Sequence, residues 1–530
     1  MTDISNGIKN GTRIIAGLAW NSSKKKYYLY SNVVWTDTTT NEYILLQDGE
    51  TFDGRWYTIT IGGTGITNGI FASNGSTISR GPIIKKIGLS GTVASAGGGI
   101  MRSSQKNFTI KRCSMSGTIG TYAGGISGIS TGQGGECLIY KCSSSASIGD
   151  FAGGIVGSCD AATAMCICTI HDCFSTGAIG TVSDGLAGGI CGISAGGGTV
   201  GGRYIIYNCY STGSINTYYS GGICGAYAGG QSADGGITIN ASCIIYNCYS
   251  TGNMGIYAGG ICGSSAGKNG SCTIYNCYST GIIGVSGTSY AGGICGTWAA
   301  VYGECTIYNC YSVGQINNYG GGITGSNTSD EGGICNIYNC YSIGNIFYGG
   351  GICGQYFQSG NGVGIVNINT CYSLGDITGQ SGVTGGGIMA QCHEDEYTIN
   401  ITNCYSTGKI NQYANGICGD LNTGSTITIT RCYASGEVYL GSNSIASISG
   451  SGTLTISNCY GNVFNNTTIF SLNKINKDRD TLRKSVWDKG TKKIYPYPKL
   501  KAFKYPPWRS SKYKNYLSPA QFNSSIKFLI

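Results

Sequence analysis

Apolar and polar residues recur along most of the chain as one repeated unit. The stretch Cys272–Gly296, CTIYNCYSTGIIGVSGTSYAGGICG, contains two short runs rich in β-branched and aromatic residues, separated by Gly, Ser, Asn and Thr. No part of the unit places apolar residues at the period of about 3.6 that an amphipathic helix requires. The pattern therefore predicts short strands and turns.

The cysteine of the NCYSTG core marks twelve copies of the unit, 27 to 39 residues apart. Periods of this length indicate a solenoid, a propeller or a helical array, and the lack of a helical pattern excludes the last. A propeller blade needs about 40–45 residues, more than most units contain. The core cysteines are Cys113, Cys142, Cys173, Cys209, Cys248, Cys277, Cys310, Cys340, Cys371, Cys404, Cys432 and Cys459.

Aligned copies place the same residue types at the same positions. Ile lies six residues after the core cysteine in nine copies, Gly four residues after it in ten, and Asn directly before it in seven. An Ile column predicts a continuous apolar stack, while Gly and Asn columns predict turns with positive φ. Parallel strands stacked about 4.8 Å apart satisfy both, so we predict an all-β parallel β-helix (β-solenoid) of about twelve coils, roughly 55–60 Å long.

The pairing of NCYSTG with GGI-x-G, seen at Gly221–Gly225, Gly259–Gly263 and Gly292–Gly296, resembles the GLUG-type repeats of bacterial and viral surface proteins. The resemblance spans about residues 50–505 and includes the entry segment Gln47–Ile61 and the exit segment Val486–Leu500. It implies a single-stranded, right-handed β-helix displayed on a surface. The chain departs from the family in having Cys where the GGLVG-like strand usually has Val, and in lacking an export signal.

Composition divides the chain into three parts. Residues 1–90 contain no cysteine and are predicted to form an N-terminal β cap and first coils, with strands at Tyr27–Trp35, Tyr43–Leu46 and Trp56–Ile61 and a turn at Asp48–Gly54. Residues 91–465 are the proline-free repeat array, with a net charge of −6. Residues 466–530 have a net charge of +12 and five of the six prolines. No apolar run is long enough to span a membrane.

Cysteine is unusually abundant, with 27 residues and no secretory signal. Besides the core column, a second column lies five residues earlier and a third lies in the GGICG run. The thiols could be small buried apolar residues, disulfides or, least expected, a metal or redox site. We expect many to be oxidised, in pairs within or between coils, and at least one of the odd number to be free or bonded to another chain. The candidates are Cys113, Cys137, Cys142, Cys159, Cys168, Cys173, Cys191, Cys209, Cys224, Cys243, Cys248, Cys262, Cys272, Cys277, Cys295, Cys305, Cys310, Cys335, Cys340 and Cys353.

Aromatic residues directly follow the core cysteine in most copies. This column could be a glycan-binding or partner-binding stripe, but mutual packing of the rings is the expectation that we favour. The candidate contact residues are Tyr210, Tyr249, Tyr278, Tyr311 and Tyr341.

The basic C-terminal segment interleaves aromatic residues with lysines. Trp487, Tyr495, Tyr497 and Trp508 are predicted to form an assembly tail that docks either on its own solenoid or on the acidic wall of another copy. Basic residues among aromatics also suit single-stranded nucleic acid, a partner that we consider unlikely because the chain itself supplies the opposite charge.

Few residues offer catalytic chemistry. His171 and Asp172 fall in columns otherwise held by Tyr and Asn, so we interpret them as repeat variants, and His393–Glu396 as a solvated loop. The fifteen acidic residues of the array provide no facing pair on neighbouring coils, as glycoside cleavage would require. We predict no enzymatic activity and no cofactor or metal. A carbohydrate-active β-helix of the tailspike or lyase type, or a bacterial-type adhesin, is the alternative.

The enrichment in Asn, Ile, Lys and Tyr is what an AT-rich genome encodes. Together with many cysteines and no export signal, it suggests a protein made in the host cytoplasm and placed on the virion surface or outer coat of a large DNA virus. The sequence thus favours a self-associating structural protein, with glycans as a further binding partner.

Overall fold

The computed structural model describes residues 2–461, except 37–41, 160–163, 182–184, 199, 231–240, 286, 288, 357–362, 393–396, 422–423 and 440–441, together with residues 487–488 and 499–500. Most of this chain winds into a parallel β-solenoid of about 13 turns. The predicted fold class is confirmed. His393–Glu396, Tyr495, Tyr497 and Trp508 lie outside the described residues.

Face 1 of the solenoid is a 16-stranded sheet. Every neighbouring pair is parallel except the first, in which Leu18–Asn21 runs antiparallel to Lys26–Leu29 and closes the N-terminal end. Its strands, in order, are Leu18–Asn21, Lys26–Leu29, Thr51–Asp53, Ile83–Lys85, Phe108–Lys111, Gly135–Tyr140, Cys166–His171, Gly202–Tyr207, Ala241–Tyr246, Ser271–Tyr275, Glu304–Tyr308, Ile334–Tyr338, Gly364–Asn369, Tyr397–Thr402, Thr426–Thr430 and Thr453–Ser457.

Face 2 contains three strands of the first coils and then the short strands that follow the core cysteine of each NCYSTG copy. They are Val33–Trp35, Thr58–Ile61, Gly88–Val93, Ser114–Ile119, Ser143–Ser144, Phe174–Ser175, Tyr210–Ser211, Tyr249–Ser250, Tyr278–Ser279, Tyr311–Ser312, Tyr341–Ser342, Tyr372–Ser373, Tyr405–Ser406, Tyr433–Ala434 and Tyr460–Gly461, with Ser147–Ile148 beside Ser114–Ile119. The Ile column continues this face as single parallel bridges, such as Ile283 to Ile316.

Face 3 consists of the GGI-x-G runs, which meet coil to coil through isolated parallel bridges. Gly259 pairs with Gly292, and Cys262 pairs with Cys295.

The remaining strand pairs are Ile44–Gln47 with Phe71–Asn74, Ile346–Phe347 with Ile377–Thr378, Gly385–Gly386 with Ala414–Asn415, Asp420–Leu421 with Ser447–Ile448, and antiparallel Trp487–Asp488 with Lys499–Leu500.

Coils begin earlier than the first NCYSTG copy, since Lys26–Leu29 and Val33–Trp35 already pair in parallel with the strands of the next coil. The strand Thr51–Asp53 lies inside the segment predicted as a turn, so that local prediction was wrong. Its Phe52 points into the core beside Tyr27 and Phe71.

The described helix Ser5–Asn10 has 6 residues, and no helix in the described part of the chain is long and apolar enough to cross a membrane.

The interior is filled by inward-facing Ile, Cys and small residues, because alternate side chains of every face 1 strand point into the coil. A column of serines on face 2 packs against the glycines of face 3. Within the described structure, seven of these buried hydroxyls have no hydrogen-bond partner: Ser175, Ser211, Ser250, Ser279, Ser312, Ser342 and Ser373. Close backbone approach, rather than hydrogen bonding, therefore determines the residue size at these positions.

The contact between Gly260 and Ser279 tests this. A Cβ at Gly260 would lie 2.2 Å from Gly293 O and 2.6 Å from Ser279 Cβ. We expect Gly260→Ala to lower the free energy of unfolding by about 1–3 kcal/mol, because the coils must move apart. Ser279→Ala, the matched control, removes an unpaired buried hydroxyl and should leave stability unchanged or raised. Denaturant unfolding monitored by circular dichroism measures both, and equal losses in the two variants would contradict the packing argument.

Candidate functional site: tyrosine ladders and thiol columns

Each core cysteine follows a corner residue in the left-handed region, where Asn is tolerated better than most residues. Asn208, Asn247, Asn276 and Asn309 have φ values of 54–55°. Their side-chain amides bond along the solenoid axis, with Nδ2 of one coil donating to Oδ1 of the preceding coil at 3.3–3.4 Å. The Asn column therefore provides both the turn conformation and a surface chain of hydrogen bonds.

The core thiols add a second hydrogen bond to backbone carbonyls of this corner, each of which also accepts an N–H of the preceding coil. In all twelve copies, Sγ lies 3.2–3.4 Å from the carbonyl oxygen two residues earlier and donates to it. In several coils the same sulfur also accepts a backbone N–H, as when Cys248 N donates to Cys277 Sγ at 3.4 Å. A thiol is a weak donor and acceptor of small volume, which suits this buried corner.

The second and third columns make different contacts. Their thiols point into the core from face 1 and face 3 and contact one another, as Cys272 and Cys295 both do with Cys262. Among the described residues, no group of His, Cys, Asp or Glu side chains has the arrangement that would hold a metal ion.

All 27 cysteines are free thiols in the structure, and all but Cys459 are buried. The structure thus contains no disulfide, and the predicted oxidation stays a prediction. The geometry divides the candidates into two groups. The core thiols bond to the backbone, whereas thiols of the second and third columns contact other side chains, mostly other thiols, and Cys353 accepts the hydroxyl of Thr324.

The predicted aromatic column forms a ladder of parallel rings, and mutual packing is confirmed. Centroids of successive rings are 4.8–5.0 Å apart with interplanar angles of 2–6°. Its members are Phe174, Tyr210, Tyr249, Tyr278, Tyr311, Tyr341, Tyr372 and Tyr405. Each internal ring has both faces covered by its neighbours, so a sugar ring has no free aromatic face to stack on along this ladder.

His171 lies within a second ladder on the outer side of face 1. Its ring stacks between Tyr140 at 4.9 Å and Tyr207 at 4.7 Å, and its Nδ1 lies 3.1 Å from Asp172 Oδ2. The stack continues through Tyr246, Tyr275 and Tyr308. The interpretation of His171 as a variant of a tyrosine column is confirmed.

A third ladder was missed by the sequence reasoning. Tyr219, Tyr257, Tyr290 and Tyr319 stack with centroids 4.9–5.3 Å apart. The available signal was a Tyr two residues before the first Gly of most GGI-x-G runs, with Phe151 and Leu186 as exceptions. Beside this ladder, Gln315, Asn317, Asn318, Phe347 and Tyr348 line a surface cleft of about 250 Å³ together with Gly284, Val285 and Gly287.

The carboxylates of Asp376 and Glu437 both bond to Lys409 and not to each other. In one column of face 2, Lys409 lies between Asp376 and Glu437. Its backbone N–H donates to Asp376 Oδ1 at 2.8 Å, and its Nζ lies 3.5 Å from Glu437 Oε2. Both side chains of this ion pair are more than half exposed, so the pair contributes little to stability. A neutralised, solvated pair is not the dry acid–base arrangement of a glycosidase.

The different roles of the thiol columns predict opposite responses to substitution. Cys277→Val would remove one of the two hydrogen bonds to the carbonyl of Tyr275, which also accepts the N–H of Asn247, whereas Cys277→Ser retains both. We therefore expect the valine variant to be less stable by about 0.5–1.5 kcal/mol. At Cys272, where no backbone bond is lost, the order should reverse because burying a hydroxyl is costly. Denaturation midpoints of the four variants in reductant decide the matter. The same order at both positions would contradict the assignment.

Alkaline pH should destabilise the reduced protein. Burial raises the pKa of Cys191 to about 11 and that of Cys353 to about 12, and it raises the pKa values of Cys209 and Cys248 well above the usual value. Above about pH 8.5 the unfolded chain loses these protons while the folded chain keeps them. The free energy of unfolding should be constant from pH 6 to 8 and then fall, by about 1.4 kcal/mol per pH unit for each thiol. Guanidinium titrations in reductant between pH 6 and 9.5, below the tyrosine range, measure this. A flat profile would contradict it.

Comparisons with known proteins leave the family open. No protein-family model matches the chain, and no curated protein matches it in sequence. Among solved structures, the chain is similar to a candidate immunoglobulin A1 protease from Bacteroides ovatus, with 18% identity over 69% of this chain and 86% of that chain and a TM-score of 0.26. A likeness of this degree carries no argument about activity. The fold and its side-chain columns are therefore the basis for any functional assignment.

Proposed function

We propose that the chain is a non-enzymatic structural protein, a rod-like subunit of a fibre or outer coat on the surface of a large DNA virus. The observation that carries this proposal is the use of repeated side chains for packing between coils. The tyrosine ladders, the Asn column and the core thiols each join one coil to the next. A residue type that repeats in every coil serves the stack as a whole rather than one local reaction.

Stiffness and length suit such a role. About 13 turns at roughly 4.8 Å per turn give a rod about 60 Å long. Stacked rings, an amide chain and continuous parallel sheets resist bending, since bending would open the same set of contacts on one side of every coil.

The C-terminal end of the rod supports assembly. The last face 1 strand, Thr453–Ser457, pairs with Thr426–Thr430 on one side only within the described chain. Its Ile456 is 44% exposed, whereas Ile429 at the same position in the preceding coil is 0% exposed. An open strand edge with exposed apolar side chains is a template for further pairing. The +12 segment that follows it provides charge opposite to the −6 array.

A glycan contact belongs to this proposal as a secondary role. The cleft beside the third ladder combines the side-chain amides of Gln315, Asn317 and Asn318 with the aromatic rings of Phe347 and Tyr348. Amides and aromatic rings with accessible edges are the groups that orient polar ligands in surface clefts. This cleft suits a sugar better than the first ladder does, because the ring faces of Tyr210, Tyr249, Tyr278, Tyr311 and Tyr341 are covered by neighbouring rings.

The competing function is a carbohydrate-active enzyme. Its best support is the column that holds Asp376 and Glu437, two coils apart, with Lys409 between them. The ion pair to lysine and the high exposure of both partners argue for a charge ladder instead. An adhesin of the bacterial type differs from the coat subunit only in the surface that displays it.

Assembly through the tail tests the proposal. In the full chain, replacing Trp487, Tyr495, Tyr497 and Trp508 by Ala should reduce oligomers or fibres at least tenfold at a given concentration, because exposed charge pairs alone are weak and screened. Electron microscopy and sedimentation measure the change. The matched control replaces Tyr413 and Tyr439, which are exposed on the solenoid itself, and should assemble normally.

Two outcomes would overturn the proposal. One is unchanged assembly of the tail variant, or a wild-type protein that stays monomeric at high concentration. The other is cleavage of a polysaccharide that disappears in Asp376→Asn or Glu437→Gln, which would establish the enzyme.

A further inference from the structure

The second and third thiol columns meet inside the solenoid at the corner between face 1 and face 3. In three successive coils both columns hold cysteine at this corner, which gives the pairs Cys224 with Cys243, Cys262 with Cys272 and Cys295 with Cys305. We call these six residues the paired thiol cluster. Each is at most 1% exposed.

Coils on either side do not repeat this pairing. In those coils one member of each pair is a residue other than cysteine. The pairs are Cys191 with Tyr204, Val156 with Cys168, Thr324 with Cys335 and Cys353 with Val366. Cysteines of the second and third columns therefore face each other only in the three coils of the cluster, within the described structure. Cys159 and Cys166, which lie outside these columns, are also in contact. A column that used cysteine merely as a small apolar residue has no reason to match its neighbour in this way.

The thiols of each pair are in contact. Cys243 lies within hydrogen-bonding reach of Cys224, Cys272 of Cys262, and Cys305 of Cys295. In the described structure these six sulfurs make no hydrogen bond to a backbone carbonyl, in contrast to those of the core column. Forming an S–S bond here costs no backbone hydrogen bond, whereas in the core column it would remove the thiol's hydrogen bond to a carbonyl, leaving that carbonyl only the N–H of the preceding coil.

Contacts also run between coils, from Cys224 to Cys262 and from Cys272 to Cys305. These partners lie in register on parallel strands, so their Cβ atoms are separated by about the strand spacing of 4.8 Å. Disulfides prefer Cβ separations of about 3.5–4.5 Å. Pairs across the corner are not held at the strand spacing and can satisfy this requirement.

We infer that the paired thiol cluster is a site of oxidative modification that forms three disulfides within coils, Cys224–Cys243, Cys262–Cys272 and Cys295–Cys305, while the core column stays reduced. This inference is independent of the proposed coat function. It assigns pairings that the sequence left open between intra-coil and inter-coil bonds.

The oxidant is a disulfide, either of glutathione or of a thiol oxidoreductase. One cysteine thiolate attacks it, forms a mixed disulfide and releases one thiol. The second cysteine then attacks the protein sulfur of the mixed disulfide, forms the intra-coil bond and releases the other thiol. Two protein thiols lose two electrons and two protons, and the oxidant gains both. Because the sulfurs are buried and burial raises the pKa of Cys224, the exchange belongs to folding, before the coils close.

Disulfide mapping of the full chain tests the inference. The protein is produced together with a thiol oxidase and a disulfide isomerase, then unfolded in acidic guanidinium with N-ethylmaleimide to trap free thiols. Trypsin cuts between Cys262 and Cys272 at Lys268, and chymotrypsin cuts within the other two pairs at Tyr227 and Tyr302. We expect three linked peptide pairs by mass spectrometry and maleimide on all core-column cysteines.

Matched variants sharpen the assignment. Cys262→Ser should release Cys272 for alkylation and leave the other two links intact, whereas Cys277→Ser in the core column should leave all three links in place. The wild-type map decides the question even if a variant fails to fold. Maleimide on all 27 cysteines of the oxidised protein, or links that join Cys262 to Cys295 or two core-column cysteines, would overturn the inference.

Discussion

In-register stacking of parallel coils is the constraint on which the rest of the structure depends. Once Ile, Cys, Asn or Tyr occupies a position in one coil, the same position in the next coil lies about 4.8 Å away, in contact with it. Like side chains must therefore suit one another as neighbours. Rings stack face to face, amides bond donor to acceptor, and isoleucines interlock. Charged residues suit this arrangement poorly, which explains why they are so sparse in the array and why Lys409 separates two carboxylates.

The cysteines show how one residue type takes different roles in a single stack. At the corner after the Asn column, the thiol donates a second hydrogen bond to a carbonyl that already accepts a backbone N–H, and its sulfur accepts another N–H. At the corner between faces 1 and 3, sulfur meets sulfur in a dry interior, where the inferred disulfides would form. Ile87 occupies the core-column position of the coil before Cys113, so an apolar side chain also fits that space. Volume alone does not explain why cysteine follows in twelve coils.

The covered ring faces change the functional reading of the surface. A column of tyrosines in a sequence suggests a platform for sugars, yet rings packed 4.8–5.0 Å apart present only their edges. Under the proposed function, binding is directed to places where the repeat is interrupted: the cleft beside Tyr319, the C-terminal edge of the described solenoid and the basic segment that follows it. A regular rod with irregular contact points is the organisation expected of a protein whose task is to hold a surface together.

The sequence by itself determined the class of fold, since a repeat of about 30 residues with Ile, Gly and Asn columns is compatible with stacked coils and with little else. It also determined the tyrosine ladder and the place of His171, because alignment of the copies places these residues in columns without any coordinates. It misassigned Thr51–Asp53, where a Gly- and Asp-rich turn pattern outweighed a short strand that the neighbouring coils hold in place. Only the tertiary structure decided which cysteine columns face each other and which bond the backbone. Those contacts depend on the angle at which face 3 meets face 1. The paired cysteines are ten or more residues apart, and the spacing along the chain does not predict which side chains meet at that corner.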